Sequence, residues 1–86
     1  MNNIFSEKAW EDYIYWQIND RMTLKKINEL IKDINRNGVS DGIGKTEPLK
    51  YRGAWSRRIN HEHRLVYNID EKKNLIIISC KGHYEN

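Results

Sequence analysis

The stretch that decides the fold class runs from residue 55 to residue 80 and reads WSRRINHEHRLVYNIDEKKNLIIISC. Apolar and polar residues alternate over Trp55–Asn60 and Arg64–Ile69, and an apolar, β-branched run follows over Leu75–Cys80. This pattern predicts three strands. The segments between them, Asp70–Asn74 among them, are too short for a parallel crossover, so the strands are expected to pair antiparallel.

The alternation also predicts which residues share a face of this sheet, because successive side chains of a strand point to opposite sides. The face expected to contact a helical layer comprises Ile59, Leu65, Tyr67 and Ile69. The opposite face then receives Arg58, Arg64 and Val66. We expect the two arginines to form an exposed cationic groove, or else a solvated face with no function.

The N-terminal half has helical periodicity after a short predicted strand at Asn3–Phe5. Ser6 and Asn19-Asp20 are expected N-caps, and Asn37-Gly38 is expected to end the second helix in a left-handed C-cap, before a loop over 39–46. The apolar positions at helical spacing are Ala9, Trp10, Tyr13 and Trp16, then Leu24, Ile27, Leu30, Ile31 and Ile34. The predicted fold is α+β, a two-helix hairpin on one face of a mainly antiparallel sheet of four to five strands.

Length and composition limit the class of protein. Eighty-six residues with 38% apolar and 31% charged residues predict one globular domain spanning residues 1–86. The single cysteine, Cys80, excludes an internal disulfide and fits a reducing cytosol, so a cytoplasmic location is expected. The N-terminus lacks the pattern of a signal peptide, and the run Leu75–Ile78 is too short to span a membrane.

Charge is distributed unevenly along the chain. The first 44 residues carry six basic and seven acidic side chains, whereas residues 45–86 carry nine basic and five acidic ones and all three histidines. The C-terminal half is therefore the expected face for an anionic partner. The overall net charge of +3 is equally compatible with ordinary solubility.

Two chemical interpretations remain open from the residues alone, since no phosphate-binding loop, dinucleotide fingerprint or nucleophile elbow occurs. The first is a zinc site built from His61, His63, Cys80 and His83. The second is metal-free RNA cleavage by Glu47, Lys50, Arg58, Arg64, His83 and Tyr84. Cleavage of RNA needs a base for the 2′-hydroxyl, an acid for the departing 5′-oxygen and cations for the charged phosphorane. We favour the second interpretation, which requires no metal and no cofactor.

The chain resembles the YoeB (Txe/YoeB) toxins of the RelE superfamily. The similarity covers nearly the whole length in order. The segments that carry it are Ser6-Glu7 with Trp10, Asp12-Tyr13, Tyr15–Gln17, Lys26–Asp33, Glu47–Lys50, Trp55–Ile59, Glu62–Tyr67 and His83-Tyr84. The resemblance implies a RelE-like fold, similar to microbial ribonucleases, and a ribosome-dependent mRNA interferase that acts as the toxin of a type II toxin–antitoxin system.

The resemblance also implies roles for individual residues. It makes Glu47 the general base, His83 the general acid, Arg64 the stabiliser of the transition state and Tyr84 a residue that orients the substrate. It places the basic side chains of Lys50 and Arg58 on either side of the scissile phosphate, and we also expect Arg57 to bind nucleic acid. The implied partners are the ribosome and its mRNA, a YefM-like antitoxin and a second copy of the chain.

Two features depart from the family pattern. The chain continues with Glu85-Asn86 beyond the His-Tyr pair at which family chains commonly end, and Tyr51–Ala54 lies in a variable segment, which leaves codon preference open. His83 and Tyr84 follow the last predicted strand, so we expect little packing to fix them. Two other functions remain as alternatives: a non-catalytic module that blocks translation by occupying RNA or the ribosome, and a non-toxic scaffold for autorepression with a partner.

Overall fold

The computed structural model describes residues 1–50 and 53–83, so expectations for Tyr51, Arg52, Tyr84 and Glu85-Asn86 lie outside the described residues. Two helices and five strands follow one another in the predicted order. They are β1 (Asn3–Phe5), α1 (Glu7–Asn19), α2 (Arg21–Asn37), β2 (Glu47–Pro48), β3 (Trp55–Arg58), β4 (Arg64–Ile69) and β5 (Leu75–Ser79). Among the described residues, no helix is long and apolar enough to cross a membrane.

The helix boundaries follow from local chemistry. Ser6 accepts a hydrogen bond from the Ala9 N–H, and Asp20 caps α2 through the N–H groups of Met22 and Thr23, as the sequence predicts. The second helix ends at Asn37, also as predicted. Its cap differs in detail, because Gly38 combines φ +91° with ψ −178° rather than the left-handed helical conformation that was expected.

The five strands form one sheet in the order β1-β5-β4-β3-β2. Strands β2 to β5 pair antiparallel with their neighbours, whereas β1 pairs parallel with β5. A mainly antiparallel sheet of five strands with two helices confirms the predicted α+β class. The two-residue edge strand β2 was not predicted, because its residues, Glu47 and a proline, have no strand pattern.

The sheet has one face covered by the helices and one open face. Leu65 and Tyr67 of β4 pack with Ile27, Leu30 and Ile34 of α2 in the main core. On the opposite face, the described residues form a small apolar cluster in which Leu49, Ala54 and Val66 pack with the half-buried Ile78. The predicted alternation of β4 is therefore confirmed. It leaves much of the second face to polar and charged side chains.

Candidate active site

Glu47 and Arg64 lie together on the open face, at the edge of the sheet. Glu47 in β2 is in register with Ser56 in β3, and Arg64 is the first residue of β4. The Arg64 Nη2 lies 3.9 Å from the Glu47 Oε2. Their exposure differs sharply, because the Arg64 side chain is 8% exposed and that of Glu47 is 57% exposed. A fixed cation thus stands beside a solvent-accessible carboxylate.

Arg64 is held by neutral oxygen acceptors. Its Nε donates to the Ser56 Oγ and its Nη2 donates to the Lys45 carbonyl, each at 2.9 Å. The expectation that Arg64 forms an exposed groove with Arg58 is therefore wrong for Arg64. These two hydrogen bonds offset part of the cost of burial, and they fix the direction of the guanidinium. Sequence reasoning missed Ser56 and Lys45 as the groups that hold this arginine.

Arg58 and Lys50 provide exposed positive charge around this pair. Arg58 is in register with Arg64 across the β3–β4 ladder, and its side chain is exposed. Lys50 lies two residues after β2 and is also exposed. The Leu49 N–H donates to the Ala54 carbonyl at 2.8 Å, which closes the hairpin that carries Lys50. Both positions are accessible to a polyanion.

His83 lies at the same open face. It lines a cavity of about 180 Å³ with Val66 and Ser79, and with Lys8, Lys81 and Gly82. Val66 is in register with Ser56, which is in register with Glu47, and it packs with Leu49 in the apolar cluster of the open face; a register shift at Val66/Tyr67 interrupts the row before Ser79. His83 is therefore on the Glu47 side of the sheet rather than on the helical side. Its side chain is exposed.

The segment that leads to His83 is more firmly held than the sequence suggests. The Cys80 N–H donates to the Asp12 Oδ2 at 3.0 Å, and the Trp16 Nε1 donates to the Cys80 carbonyl at 2.8 Å. The Gly82 carbonyl accepts from the Arg64 N–H at 3.0 Å. The expectation of little packing was made for His83 and Tyr84, and it agrees with the exposed side chain of His83, although the chain before it is held as far as Gly82. Tyr84 lies outside the described residues.

Arg57 is the main correction to the predicted nucleic-acid contacts. Its side chain is fully buried on the helical side, in register with Leu65. The guanidinium pairs with the Asp33 carboxylate and donates to the Tyr67 hydroxyl and the Gly38 carbonyl. This arginine holds the pKa of the Asp33 carboxyl below its usual range, chiefly by hydrogen bonding. The group is therefore unavailable to RNA, and the prediction that it binds nucleic acid is wrong.

The zinc interpretation finds no ligand set in the described part of the chain. Within residues 1–50 and 53–83, no three of the His, Cys, Asp and Glu side chains converge as metal ligands would. Cys80 is buried, and burial raises the pKa of its thiol to about 12. A thiol in that state is a poor metal ligand because the thiolate is the binding form.

Comparisons with known proteins agree with this fold. Residues 5–84 match the family model described as the YoeB-like toxin of bacterial type II toxin-antitoxin systems. Toxin YoeB of Synechocystis sp. is 55% identical over 87 residues, covering 99% of each chain. The structure of the YoeB dimer from Staphylococcus aureus superposes with a TM-score of 0.91 at 57% identity, covering 98% of each chain.

A second solved structure, the heterotetrameric YoeB-YefM toxin-antitoxin complex from Staphylococcus aureus, has a TM-score of 0.89 at 57% identity over 98% of each chain. A whole-chain fold match at this identity, together with the family match, defines a small α+β toxin. The chain belongs to the YoeB-like toxin family of bacterial type II toxin-antitoxin systems.

Proposed function

We propose that this toxin is a ribosome-dependent endoribonuclease that cuts mRNA in the ribosomal A site and thereby inhibits translation. The observation that carries the proposal is the 3.9 Å approach of Glu47 and Arg64 on the open sheet face, with His83 on the same side. A carboxylate, a fixed cation and an imidazole are the three groups that metal-free RNA cleavage needs.

The proposed reaction proceeds in one displacement at phosphorus. Glu47 takes the proton of the 2′-hydroxyl, and the 2′-oxygen attacks the adjacent phosphorus. Arg64 stabilises the negative charge on the phosphorane oxygens. The bond from phosphorus to the 5′-oxygen breaks as His83 donates a proton to that oxygen, which leaves a 2′,3′-cyclic phosphate and a 5′-hydroxyl. Tyr84 orients the substrate.

The surrounding charge supports RNA as the substrate. Lys50 and Arg58 are exposed on the hairpin and strand next to Glu47 and Arg64, where they can bind phosphates on either side of the cleaved bond. Because these contacts are electrostatic, binding is expected to weaken as salt rises. No cofactor enters the proposed mechanism.

The proposed partners are inferred from the assemblies in which a relative was solved. YoeB of Staphylococcus aureus was solved as a dimer and as a heterotetramer with YefM. We extend both assemblies to this chain: a homodimer, and a complex with a YefM-like antitoxin that disturbs or covers the active site. An mRNA-cleaving toxin of this kind acts where ribosomes translate, so the proposed location is the cytoplasm.

The test is primer extension on mRNA translated in a reconstituted system with the purified toxin. Discrete cuts within codons are expected, and Glu47→Gln should slow them about 10²–10⁴-fold, since the amide cannot accept the proton. Glu71→Gln, an exposed carboxylate in the β4–β5 turn, is the matched control and should cut like the wild type. Arrest without cuts would overturn the proposal in favour of a module that blocks translation by occupancy.

A further inference from the structure

His63 makes a contact that the proposed chemistry does not use. It lies in the turn before β4, and its Nδ1 accepts a hydrogen bond from the Gly82 N–H at 2.8 Å. The imidazole packs edge-on against Trp16, with the ring centroids 4.8 Å apart and an interplanar angle of 73°. Only 19% of the side chain is exposed. His63 therefore links the start of β4 to the residue that precedes His83.

The contact defines the protonation of the ring. A backbone N–H can only donate, so the Nδ1 that accepts from Gly82 carries no proton, and a neutral ring then carries its proton on Nε2. The Nε2 lies 3.9 Å from the Glu62 Oε2. A carboxylate on that side favours a proton on Nε2, because a histidine tautomer is set by the partners of its two nitrogens.

Both backbone polar groups of Gly82 form hydrogen bonds, one with His63 and the other with the next residue, Arg64. Its N–H donates to His63, and its carbonyl accepts from the Arg64 N–H at 3.0 Å. The glycine adopts φ +104°, a conformation that other residues rarely adopt, so the chain turns sharply where it approaches His83. Of these two contacts, the one to His63 is made by a side chain and can be removed without altering the backbone ladder.

We propose that His63 is a positioning residue for the general acid: by accepting from Gly82, it fixes the peptide that carries His83 and so aims its imidazole at the leaving oxygen. His63 itself touches no substrate. The inference rests on the proposed function, because it gives His63 a role only if His83 donates a proton. A misplacement of about 1 Å in a catalytic group can cost about 10²-fold in rate.

The first test uses the wild-type protein and needs no variant. Long-range ¹⁵N–¹H NMR correlations of the histidine rings distinguish the Nδ1–H tautomer, the Nε2–H tautomer and the imidazolium. We expect His63 to be the Nε2–H tautomer at neutral pH, with a slowly exchanging Gly82 amide proton. An Nδ1–H tautomer, or an imidazolium, would overturn the proposal whatever the variants do.

The second test compares variants in single-turnover cleavage on programmed ribosomes with toxin in excess. His63→Phe keeps a ring against Trp16 but removes the acceptor, whereas His63→Asn places an amide oxygen close to the position of Nδ1. We expect His63→Phe to lower the rate at saturation about 10- to 100-fold, with the half-saturating toxin concentration unchanged. His63→Asn should restore most of the rate.

His61→Phe is the matched control, because His61 lies two residues away and its side chain is 88% exposed. It should cut at the wild-type rate. Equal loss in the Phe and Asn variants, or a loss that tracks their melting temperatures, would reduce His63 to a structural residue and overturn the inference. If the wild type itself made no cuts, the proposed function would fail. A wild-type rate in His63→Phe would instead overturn only the inference about His63.

Discussion

Arg57 and Arg58 are adjacent in β3, yet the sheet assigns them opposite environments. Arg57 points under the helices, is fully buried, and is saturated by Asp33, Tyr67 and backbone carbonyls. Arg58 points to the open face and is exposed beside the candidate active site. The same type of residue, arginine, is thus a structural group on one face and a candidate RNA contact on the other. Strand alternation, rather than residue type, separates the two roles.

The two faces also differ in what their polar groups stabilise. On the covered face, Arg57 ties α2 to the loop after it, through Asp33 and the Gly38 carbonyl. On the open face, Arg64 is oriented by Ser56 and Lys45 and leaves Glu47 accessible to solvent. We expect substitutions on the covered face to change the free energy of unfolding, and substitutions of exposed side chains on the open face to change activity with little effect on stability.

The largest effect is expected for His83→Ala on the open face. Loss of a general acid lowers the rate of cleavage about 10²–10⁴-fold. Because the side chain is exposed, the free energy of unfolding should stay within about 0.5 kcal/mol of the wild type. Single-turnover cleavage and urea unfolding of the same preparation measure both quantities. A folded His83→Ala protein that cuts at the wild-type rate would remove the general-acid role.

The next largest effect is expected for Arg57→Ala on the covered face. It removes a fully buried guanidinium from the Asp33 carboxylate, the Tyr67 hydroxyl and the Gly38 carbonyl, and leaving a buried acceptor without its donor costs about 1–3 kcal/mol. Arg58→Ala, one residue away, is the control and should cost less than about 0.5 kcal/mol. Urea titration gives both values. Similar unfolding midpoints for the two variants would contradict the assignment of the two faces.

The sequence was sufficient for every element except β2, and for the apolar sides of the strands. Caps at Ser6 and Asp20 and the alternation of β4 depend on neighbours within a few residues, so local rules predict them. The same alternation, applied to Arg57, would have placed it with Ile59 on the helical side. The prediction that Arg57 binds nucleic acid considered the charge of the side chain but not the face of the sheet on which its position in the strand places it.

Other features depend on contacts between distant segments. The Arg57–Asp33 pair joins residues 24 positions apart, and the bond from His63 to Gly82 joins residues 19 apart. The burial of Arg64 depends on the Lys45 carbonyl in the loop after α2. No periodicity or local motif predicts such pairings, because they form only once the sheet and the helices have packed together.

A smaller effect is expected from the exposed cations of the open face. Arg58→Ala and Lys50→Ala should each weaken ribosome binding and reduce the slope of log affinity against log salt by about 1, because each phosphate contact releases counterions. Lys25→Ala, an exposed lysine on α2, is the matched control. Affinities measured over a series of salt concentrations give the slope. An unchanged slope in both variants would exclude these two residues from the RNA contact.

The smallest effect is expected at acidic pH on the covered face. The pKa of Asp33 is lowered by its hydrogen bond to Arg57, so folding favours the ionised carboxylate. Its contribution to stability is present above the ordinary aspartate pKa of about 3.9 and is lost as the pH falls through the lowered value. The urea midpoint of the wild type should therefore decrease below about pH 5.

Asp33→Asn should make this acid-dependent decrease shallower without abolishing it, because the pKa values of Asp20 and Asp70 are also lowered, by hydrogen bonds to Thr23 and to Asn74. Asp41→Asn, an exposed carboxylate in the same loop region, is the control and should retain the wild-type slope. Urea midpoints measured between about pH 6 and pH 3 give the comparison. If Asp33→Asn and the wild type lost stability in parallel over that range, the Arg57–Asp33 pair would not be a source of the stability of the covered face.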